Sequence, residues 1–245
     1  MIHTKIMPLA RMADKIASHM YISSDDRAAL LGLPNIIRPF EPGSYLVREG
    51  DISESCNVLV SGFVIRHKIS CEGLRQIVSV HIPGDMLDLQ RIHLGIADHN
   101  VQTLTQCQVA KIPHAALRAL ASDRSNVGNA LFASALVEAS IYREWMLNIG
   151  RRDARSRIAH LLCEFAIRLD RHDLAPGQAY DLPMTQEQIG DAVGLTAVHV
   201  NRTLKSLVED GFITLNKRGL SFPDWSRLKE LADFNSRYLH LKQME

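Results

Sequence analysis

The chain has 245 residues, of which 46% are hydrophobic and 22% charged, and its formal net charge is +1. That length allows two domains with separate cores. The near-neutral charge excludes a protein that holds nucleic acids by overall positive charge, so DNA affinity would need a local basic patch. No segment approaches the roughly 20 apolar residues of a membrane span, and the N-terminus lacks the long apolar core of a signal peptide. We therefore expect a cytoplasmic protein with no membrane partner.

The four cysteines, at positions 56, 71, 107 and 163, are widely scattered. No pair has the Cys-x-x-Cys spacing that is typical of a zinc site. In a reducing cytosol such thiols stay free and are mainly buried. We expect no metal site and no resident cofactor.

The first part of the chain changes from helical to strand-like character near residue 35. Residues 1–34 are predicted to form short helices, because apolar side chains recur at helical spacing from Leu9 to Met20. Residues 35–122 contain short β-favouring runs separated by Gly- and Pro-containing turns. The runs occupy residues 45–47, 57–60, 63–65, 76–82, 101–104 and 108–112. Many short strands at this spacing are typical of a sandwich or a roll.

A short helix over 114–121 precedes a long helix that we predict within residues 123–150. The long helix is apolar around most of its circumference, so more than one of its sides must be covered. The β-roll would cover one side, and a second copy of the helix the other. A single large core that buries the helix is the alternative. The residues expected at a dimer interface are Val127, Leu131, Ile141, Tyr142 and Trp145.

The last segment, residues 151–245, opens with an amphipathic helix over 152–169 and then contains two short amphipathic helices joined at Gly194-Leu195. This is the pattern of a helix-turn-helix. Thr185 begins the first helix with a capping box, and Ala192 supplies a small residue for the crossing. Gly194 can adopt the positive φ that the turn needs.

The second helix, 196–209, starts at Thr196 and has polar side chains on its outer face, as a helix that enters the major groove requires. Two short strands, 212–215 and 220–222, flank a basic turn and would form a wing whose tip lies near the phosphate backbone. An ordinary αα-hairpin is the alternative, and the wing argues against it. The residues expected to contact double-stranded DNA are Thr185, Gln186, Thr196, Ala197, Val198, His199, Asn201, Arg202, Lys205, Lys217 and Arg218.

This order of β-roll, long helix and winged helix-turn-helix resembles the Crp/Fnr family of bacterial transcription regulators. The similar segments are F-E-P-G-S-Y-L-V-R-E-G-D (40–51), V-S-G-F-V (60–64), I-P-G-D-M (82–86), C-Q-V-A-K-I-P (107–113), R-D-A-R-S-R-I-A-H-L-L (152–162), and the G-L-T, N-R-T-L and E-D-G-F-I motifs of the helix-turn-helix. The resemblance covers nearly the whole chain. It implies an α+β fold with an N-terminal double-stranded, jelly-roll-like β-roll, a long dimerisation helix and a C-terminal winged helix-turn-helix.

The resemblance also implies a homodimeric, sequence-specific transcription regulator that reads a two-fold symmetric operator, with RNA polymerase as a further candidate partner. Well-known members place a Glu and an Arg in the second helix to read a G·C-containing half-site. Arg202 keeps the Arg position, which suits bidentate contact with guanine, whereas Val198 replaces the Glu and would meet a thymine methyl group. The operator is therefore expected to differ from the common family consensus.

The effector is not evident, because the chain departs from the sensing motifs of the family. Cyclic-nucleotide-binding members carry an Arg-Ser or Arg-Thr-like pair where this chain has Ala97 and Asp98, and Arg91 is out of register, so cAMP is not the expected effector. Iron–sulfur members use N-terminal cysteines, and no Cys precedes Cys56. The candidates for haem ligation are His67, His81, His93 and His99, and those for oxidation sensing are Cys56, Cys71 and Cys107.

Two other functional classes remain as alternatives. One is a ligand-binding module whose helix-turn-helix engages protein, and the other is an enzyme. The sequence has no metal-ligand spacing, nucleophile elbow or glycine-rich phosphate loop, so we expect no enzymatic activity.

Overall fold

A computed structural model gives the positions of residues 7–169, 180–216 and 219–241. These residues form two compact units. The first holds the described residues within 7–67, 80–139 and 240–241, and the second those within 68–79 and 140–239. The domain limits expected from sequence at residues 34, 122 and 150 stay predictions. No helix in the described ranges is long and apolar enough to span a bilayer.

Seven strands form a β-roll within residues 36–113. They are β1 (Ile36–Phe40), β2 (Tyr45–Val47), β3 (Ser55–Ser61), β4 (Val64–Ile69), β5 (Arg75–His81), β6 (Asn100–Thr103) and β7 (Cys107–Pro113). One sheet has the strand order β1-β7-β3 and the other β2-β6-β4-β5. The pairing of β7 with both β1 and β3 is antiparallel, and Val109 lies opposite Arg38 on one side and Leu59 on the other. The predicted roll is confirmed.

Successive residues of β7 point to opposite faces of their sheet, as a strand dictates, and so serve two separate cores. Val109 packs with apolar residues from both sheets in the interior of the roll. Ala110 faces a second core, made by β3, α1 (Ala10–His19), α2 (Ser24–Leu31), α3 (His114–Asp123) and the first turns of α4. The N-terminal helices therefore share a core with the outer face of β3 and β7, while β1 is largely exposed.

The long helix α4 runs from Ser125 to Arg151, and three of its five predicted dimerisation residues are buried within the chain. Val127 and Leu131 are buried in the core beneath α1 and α2. The Trp145 ring is buried too, and its indole N–H donates to Glu164 Oε2 at 2.9 Å. Side chains held inside their own chain are not available to a partner helix. Ile141 and Tyr142 are half-buried and stay predictions.

The apolar side chains that α4 exposes lie on another face of the helix. They are Phe132 (65% exposed), Leu136 (53%), Met146 (74%) and Leu147 (44%). The helix is apolar on more than one side, as predicted. Which of those sides is buried in the chain depends on the packing of the N-terminal helices, and a local sequence pattern does not predict that packing.

The second unit contains the C-terminal helices and a small sheet. Its helices are α5 (Ala154–Arg168), α6 (Gln186–Val193), α7 (Ala197–Glu209) and α8 (Trp225–Leu231), and its strands are β8 (Tyr180–Asp181), β9 (Thr214–Asn216) and β10 (Gly219–Ser221). The strand order is β8-β10-β9, so the predicted two-stranded wing carries a third strand. Roll, long helix and winged helix-turn-helix together confirm the predicted α+β fold.

A buried carboxylate joins the ends of the second unit. Glu164 of α5, 2% exposed, accepts hydrogen bonds from Trp145 at 2.9 Å and from the Tyr238 hydroxyl at 2.8 Å, and it pairs with Arg168 at 3.3 Å. Such partners offset the cost of burying a charge. The sequence of residues 224–239 predicts one closing helix, but α8 stops at Leu231, because Asp233 adopts a φ of 48°, outside the helical region.

Candidate nucleic-acid interface

The first helix of the helix-turn-helix, α6, is fixed at its start by the predicted capping box. The Thr185 N–H donates to Gln188 Oε1 at 2.8 Å, and the Gln188 N–H donates to Thr185 Oγ1 at 3.2 Å. Each side chain thus satisfies an N–H that has no partner within the helix. At the other end Gly194 adopts the left-handed conformation, with a φ of 70°, and turns the chain toward α7.

The α6 helix approaches the turn closely at Gly190. A Cβ on Gly190 would stand 2.3 Å from the Leu195 carbonyl oxygen, which no side chain can occupy without moving the turn. Ala192, the small residue predicted at the crossing, is buried. A glycine inside a helix costs stability relative to alanine, so its presence in α6 was the signal for a tight crossing.

The second helix, α7, buries one face and exposes the other. Its N-cap is Thr196, whose Oγ1 accepts the His199 N–H at 3.2 Å. Val200, Leu204 and Leu207 are buried against the rest of the unit. Val198, which is predicted to contact DNA, is 81% exposed and so is accessible to a ligand.

The predicted contact residues of the two helices share one surface. Thr185, Thr196, Ala197, Val198, Arg202 and Lys205 are exposed, and Gln186, His199 and Asn201 are half-buried. The Asn201 amide donates to Gln186 Oε1 at 3.1 Å, so these two side chains hold each other across the helix-turn-helix. The other predicted contacts, Lys217 and Arg218 at the wing tip, lie outside the described residues.

This surface is cationic where α7 is most exposed. Within the described part of the chain, no carboxylate pairs with Arg202 or Lys205. The neighbouring Arg155, by contrast, pairs with Asp210 at 2.6 Å. Arg202 keeps its full charge and all of its guanidinium donors for an external acceptor, and a planar guanidinium fits guanine or phosphate in bidentate fashion.

An open cleft of about 390 Å³ runs between Arg202 and the start of α5. Its lining residues are Asp153, Ala154, Arg155, His199, Arg202, Thr203 and Ser206. Asp153 caps α5 by accepting the Ser156 N–H at 2.9 Å, and this hydrogen bond lowers the pKa of its carboxyl group. The ionised Asp153 and the paired Arg155 thus line the α5 side of the cleft, and Arg202 lines its α7 side.

The roll, as a second candidate site, holds its buried charges in internal contacts. Arg66, 4% exposed, donates to Glu138 Oε1 at 2.6 Å and to the Leu87 carbonyl at 2.6 Å. Arg91 donates to the Asp51 carbonyl at 3.0 Å and lies 3.8 Å from Asp88. Both guanidinium groups therefore already bind acceptors inside the chain through their Nη atoms.

The two residues that stand at the position of the family's phosphate-binding pair carry no side-chain cation. Ala97 is buried, whereas the Asp98 side chain is 86% exposed and bonds to the neighbouring His99 at 2.6 Å. An exposed carboxylate supplies no donor to a phosphate.

The four histidines proposed as haem candidates differ in environment. His93 is exposed. Of the three buried rings, His67 packs edge-on against Tyr45 and His81 bonds to Asp85 at 3.2 Å, while His99 bonds to Asp98. Burial lowers the pKa of both His81 and His99. Among the residues that the structure describes, no three His, Cys, Asp or Glu side chains lie together as metal ligands would.

The thiols fall into two classes. Cys56, Cys107 and Cys163 are buried, and burial raises the pKa of all three. Thiols of raised pKa are poor nucleophiles. Cys56 and Cys107 are therefore unsuited to oxidation sensing, and Cys71, at the turn between β4 and β5, is the exposed thiol.

Both halves of the chain match known domain families. Residues 156–231 match the Crp-like helix-turn-helix domain, and residues 37–124 match the cyclic nucleotide-binding domain. The transcriptional activator protein FnrL of Cereibacter sphaeroides is 30% identical over 204 residues, which cover 81% of each chain. The nitrogen fixation regulation protein FixK of Bradyrhizobium diazoefficiens is 33% identical over 198 residues, 79% of this chain and 80% of FixK.

Among solved structures, FixK2 from Bradyrhizobium japonicum superposes with a TM-score of 0.74 at 26% identity, over 81% of this chain and 98% of FixK2. The described roll, long helix and helix-turn-helix thus follow an architecture already known from experiment.

Proposed function

Because the chain belongs to the Crp/Fnr family of transcription regulators, we propose that it works as a homodimer that binds a two-fold symmetric operator through α7. The observation that carries this proposal is the exposed polar face of α7. Arg202 and Lys205 stand on it without a carboxylate partner in the described residues, and α6 holds the helix from behind. The proposal assigns no catalytic reaction to the chain.

We assign the exposed residues of α7 to base contacts or phosphate contacts by their chemistry. Arg202 reads guanine through its two parallel donors, and Val198 meets a thymine methyl group with its exposed apolar surface. Lys205, Lys217 and Arg218 neutralise phosphates, which position the protein but carry no sequence information. Thr185, Gln186, Thr196, Ala197, His199 and Asn201 complete the surface.

The dimer would form along the exposed seam of α4. Positions 132, 136, 139, 143 and 146 are separated by three or four residues, the spacing at which one helix face meets a partner helix. Phe132, Leu136 and Met146 expose apolar side chains there. Contact with the same face of a second copy would remove these groups from water. This exposed face replaces the interface first expected through Val127, Leu131 and Trp145. If the protein activates transcription, RNA polymerase is its proposed further protein partner.

The proposal excludes cAMP as the effector. Arg66 and Arg91 already bond to internal acceptors, and Asp98 replaces the donor that a cyclic phosphate needs. Isothermal titration of the dimer with cAMP, at ligand concentrations up to about 1 mM, is expected to give no saturable heat and no gain in DNA affinity. Micromolar binding would contradict this assignment, and an Arg66→Met variant would show whether that guanidinium holds the phosphate.

In-vitro selection tests the proposed function most directly. Protein purified without added ligand would be offered a pool of random double-stranded DNA, with binding at two salt concentrations because phosphate contacts depend on salt. Enrichment of a two-fold symmetric site, with half-site centres roughly 34 Å apart, is expected. Folded dimer that enriches no site would refute operator binding by the ligand-free protein.

A further inference from the structure

A hairpin that belongs to the roll strands contacts the helix-turn-helix. Residues 68–79, the turn and adjoining parts of β4 and β5, belong to the same compact unit as α6. Arg75 Nε donates to Asp191 Oδ2 at 2.7 Å. The Gln76 amide donates to the Asp191 carbonyl at 2.7 Å and lies 3.4 Å from the Ala192 carbonyl.

These contacts satisfy the C-terminal end of α6. The last carbonyls of a helix have no partner within it and carry partial negative charge. Gln76 reaches those of Asp191 and Ala192, and Arg157 donates to the Val193 carbonyl at 3.2 Å. Three consecutive carbonyls at the end of α6 are thus bonded by side chains from other elements, and two of the bonds come from the hairpin.

The ion pair beside them is partly withdrawn from water. The side chains of Arg75 and Asp191 are 27% and 23% exposed. A charge-assisted bond at 2.7 Å in such a setting is stronger than a fully exposed pair and is oriented by its geometry. The ion pair therefore constrains the orientation of α6 relative to the hairpin as well as the distance between them.

Neither element needs this contact for its own local structure. The hairpin turn is closed by its own bonds, from the Ser70 N–H to the Leu74 carbonyl at 2.9 Å and from the Leu74 N–H to Ser70 Oγ at 3.2 Å. The α6 helix has its capping box and Gly194. The contact between them is thus suited to placing α6, rather than to folding it.

We propose that Arg75 and Gln76 are positioning residues for DNA binding, which hold α6 and, through the tight Gly190–Leu195 crossing, orient α7. The inference rests on the proposed homodimer. Two copies of α7 must meet half-sites one helical turn apart, so the freedom of each α6 decides how strictly the dimer selects the spacing between half-sites.

The test compares operators whose half-sites are separated by the selected spacer, by one base pair less and by one base pair more. Spacer discrimination is the ratio of the affinity for the selected spacer to the affinity for a spacer changed by one base pair. In the full-length dimer carrying Arg75→Ala and Gln76→Ala this ratio is expected to fall about fivefold relative to wild type, in line with a partly exposed ion pair. Leu74→Ala, a change of an exposed side chain in the same hairpin (67% exposed), is the matched control and should keep the wild-type profile.

A charge swap separates positioning from a general loss of structure. Arg75→Asp and Asp191→Arg should each broaden the spacer profile, and the double variant should restore it, with thermal unfolding monitored for all three. A wild-type profile in the Ala variants, or no recovery in the double variant, overturns the inference. If wild type binds the site but shows no spacer preference, the inference is overturned as well. If wild type binds no specific site, both the proposed function and this inference are overturned.

Discussion

Arg202→Ala is expected to weaken binding to the selected operator by about 1–3 kcal/mol per half-site, or about 2–6 kcal/mol for the dimer if the two sites add. The side chain is exposed on α7 and, within the described residues, has no carboxylate partner that would compete with DNA. Its removal deletes two parallel donors to guanine without disturbing the core of the helix-turn-helix. The loss should fall on one base-pair position, so specificity at that position should relax.

Fluorescence anisotropy with operator variants at several salt concentrations would measure this effect. Lys205→Ala is the matched control, because it removes an exposed cation from the same helix. It should weaken all sequences alike and lower the salt slope by about one per contact. Equal affinity of wild type and Arg202→Ala for the selected operator would show that this helix face does not read the major groove.

Leu136→Glu is expected to dissociate the homodimer and, with it, to abolish tight binding to the symmetric operator. The side chain is 53% exposed in the single chain, so the substitution should leave the folded chain intact. In a dimer the two glutamates would face each other in an apolar seam, where unpaired buried charges are costly. Light scattering coupled to size exclusion would report the mass, and circular dichroism would report retained helix.

Ile52→Glu provides the control for that experiment, since it places the same charge on an exposed apolar residue far from α4 in sequence (77% exposed). It should remain dimeric and bind DNA like wild type. A stable dimer in Leu136→Glu at micromolar concentration would mean that another face of the chain makes the dimer contact.

The local signals of the helix-turn-helix needed only the sequence. Thr185 with Gln188, Gly194 and Thr196 lie within a few residues of the groups that they serve, so their types and spacing predicted the caps and the turn that the structure has. The strands of the roll were predictable from their short β-favouring runs and from the Gly- and Pro-containing turns between them.

The faces of the helices were decided by tertiary structure. The sequence identifies the apolar residues of α4. Only the packing of α1 and α2 determines that Val127 and Leu131 belong to the core while Phe132 and Leu136 stay exposed. Val198 matched an apolar helical pattern and yet lies in solvent. Periodicity counts apolar residues along a helix, whereas burial depends on which distant segment arrives to cover them.

Contacts between residues far apart in the chain were likewise outside the reach of sequence patterns. Arg66 meets Glu138 across 72 positions, and Arg75 meets Asp191 across 116. The sequence by itself determined the family architecture and predicted a DNA-binding surface on the helix-turn-helix. The folded chain decided which cations are neutralised internally and which stand free on α7, because charge pairing is a property of three-dimensional neighbours and not of spacing.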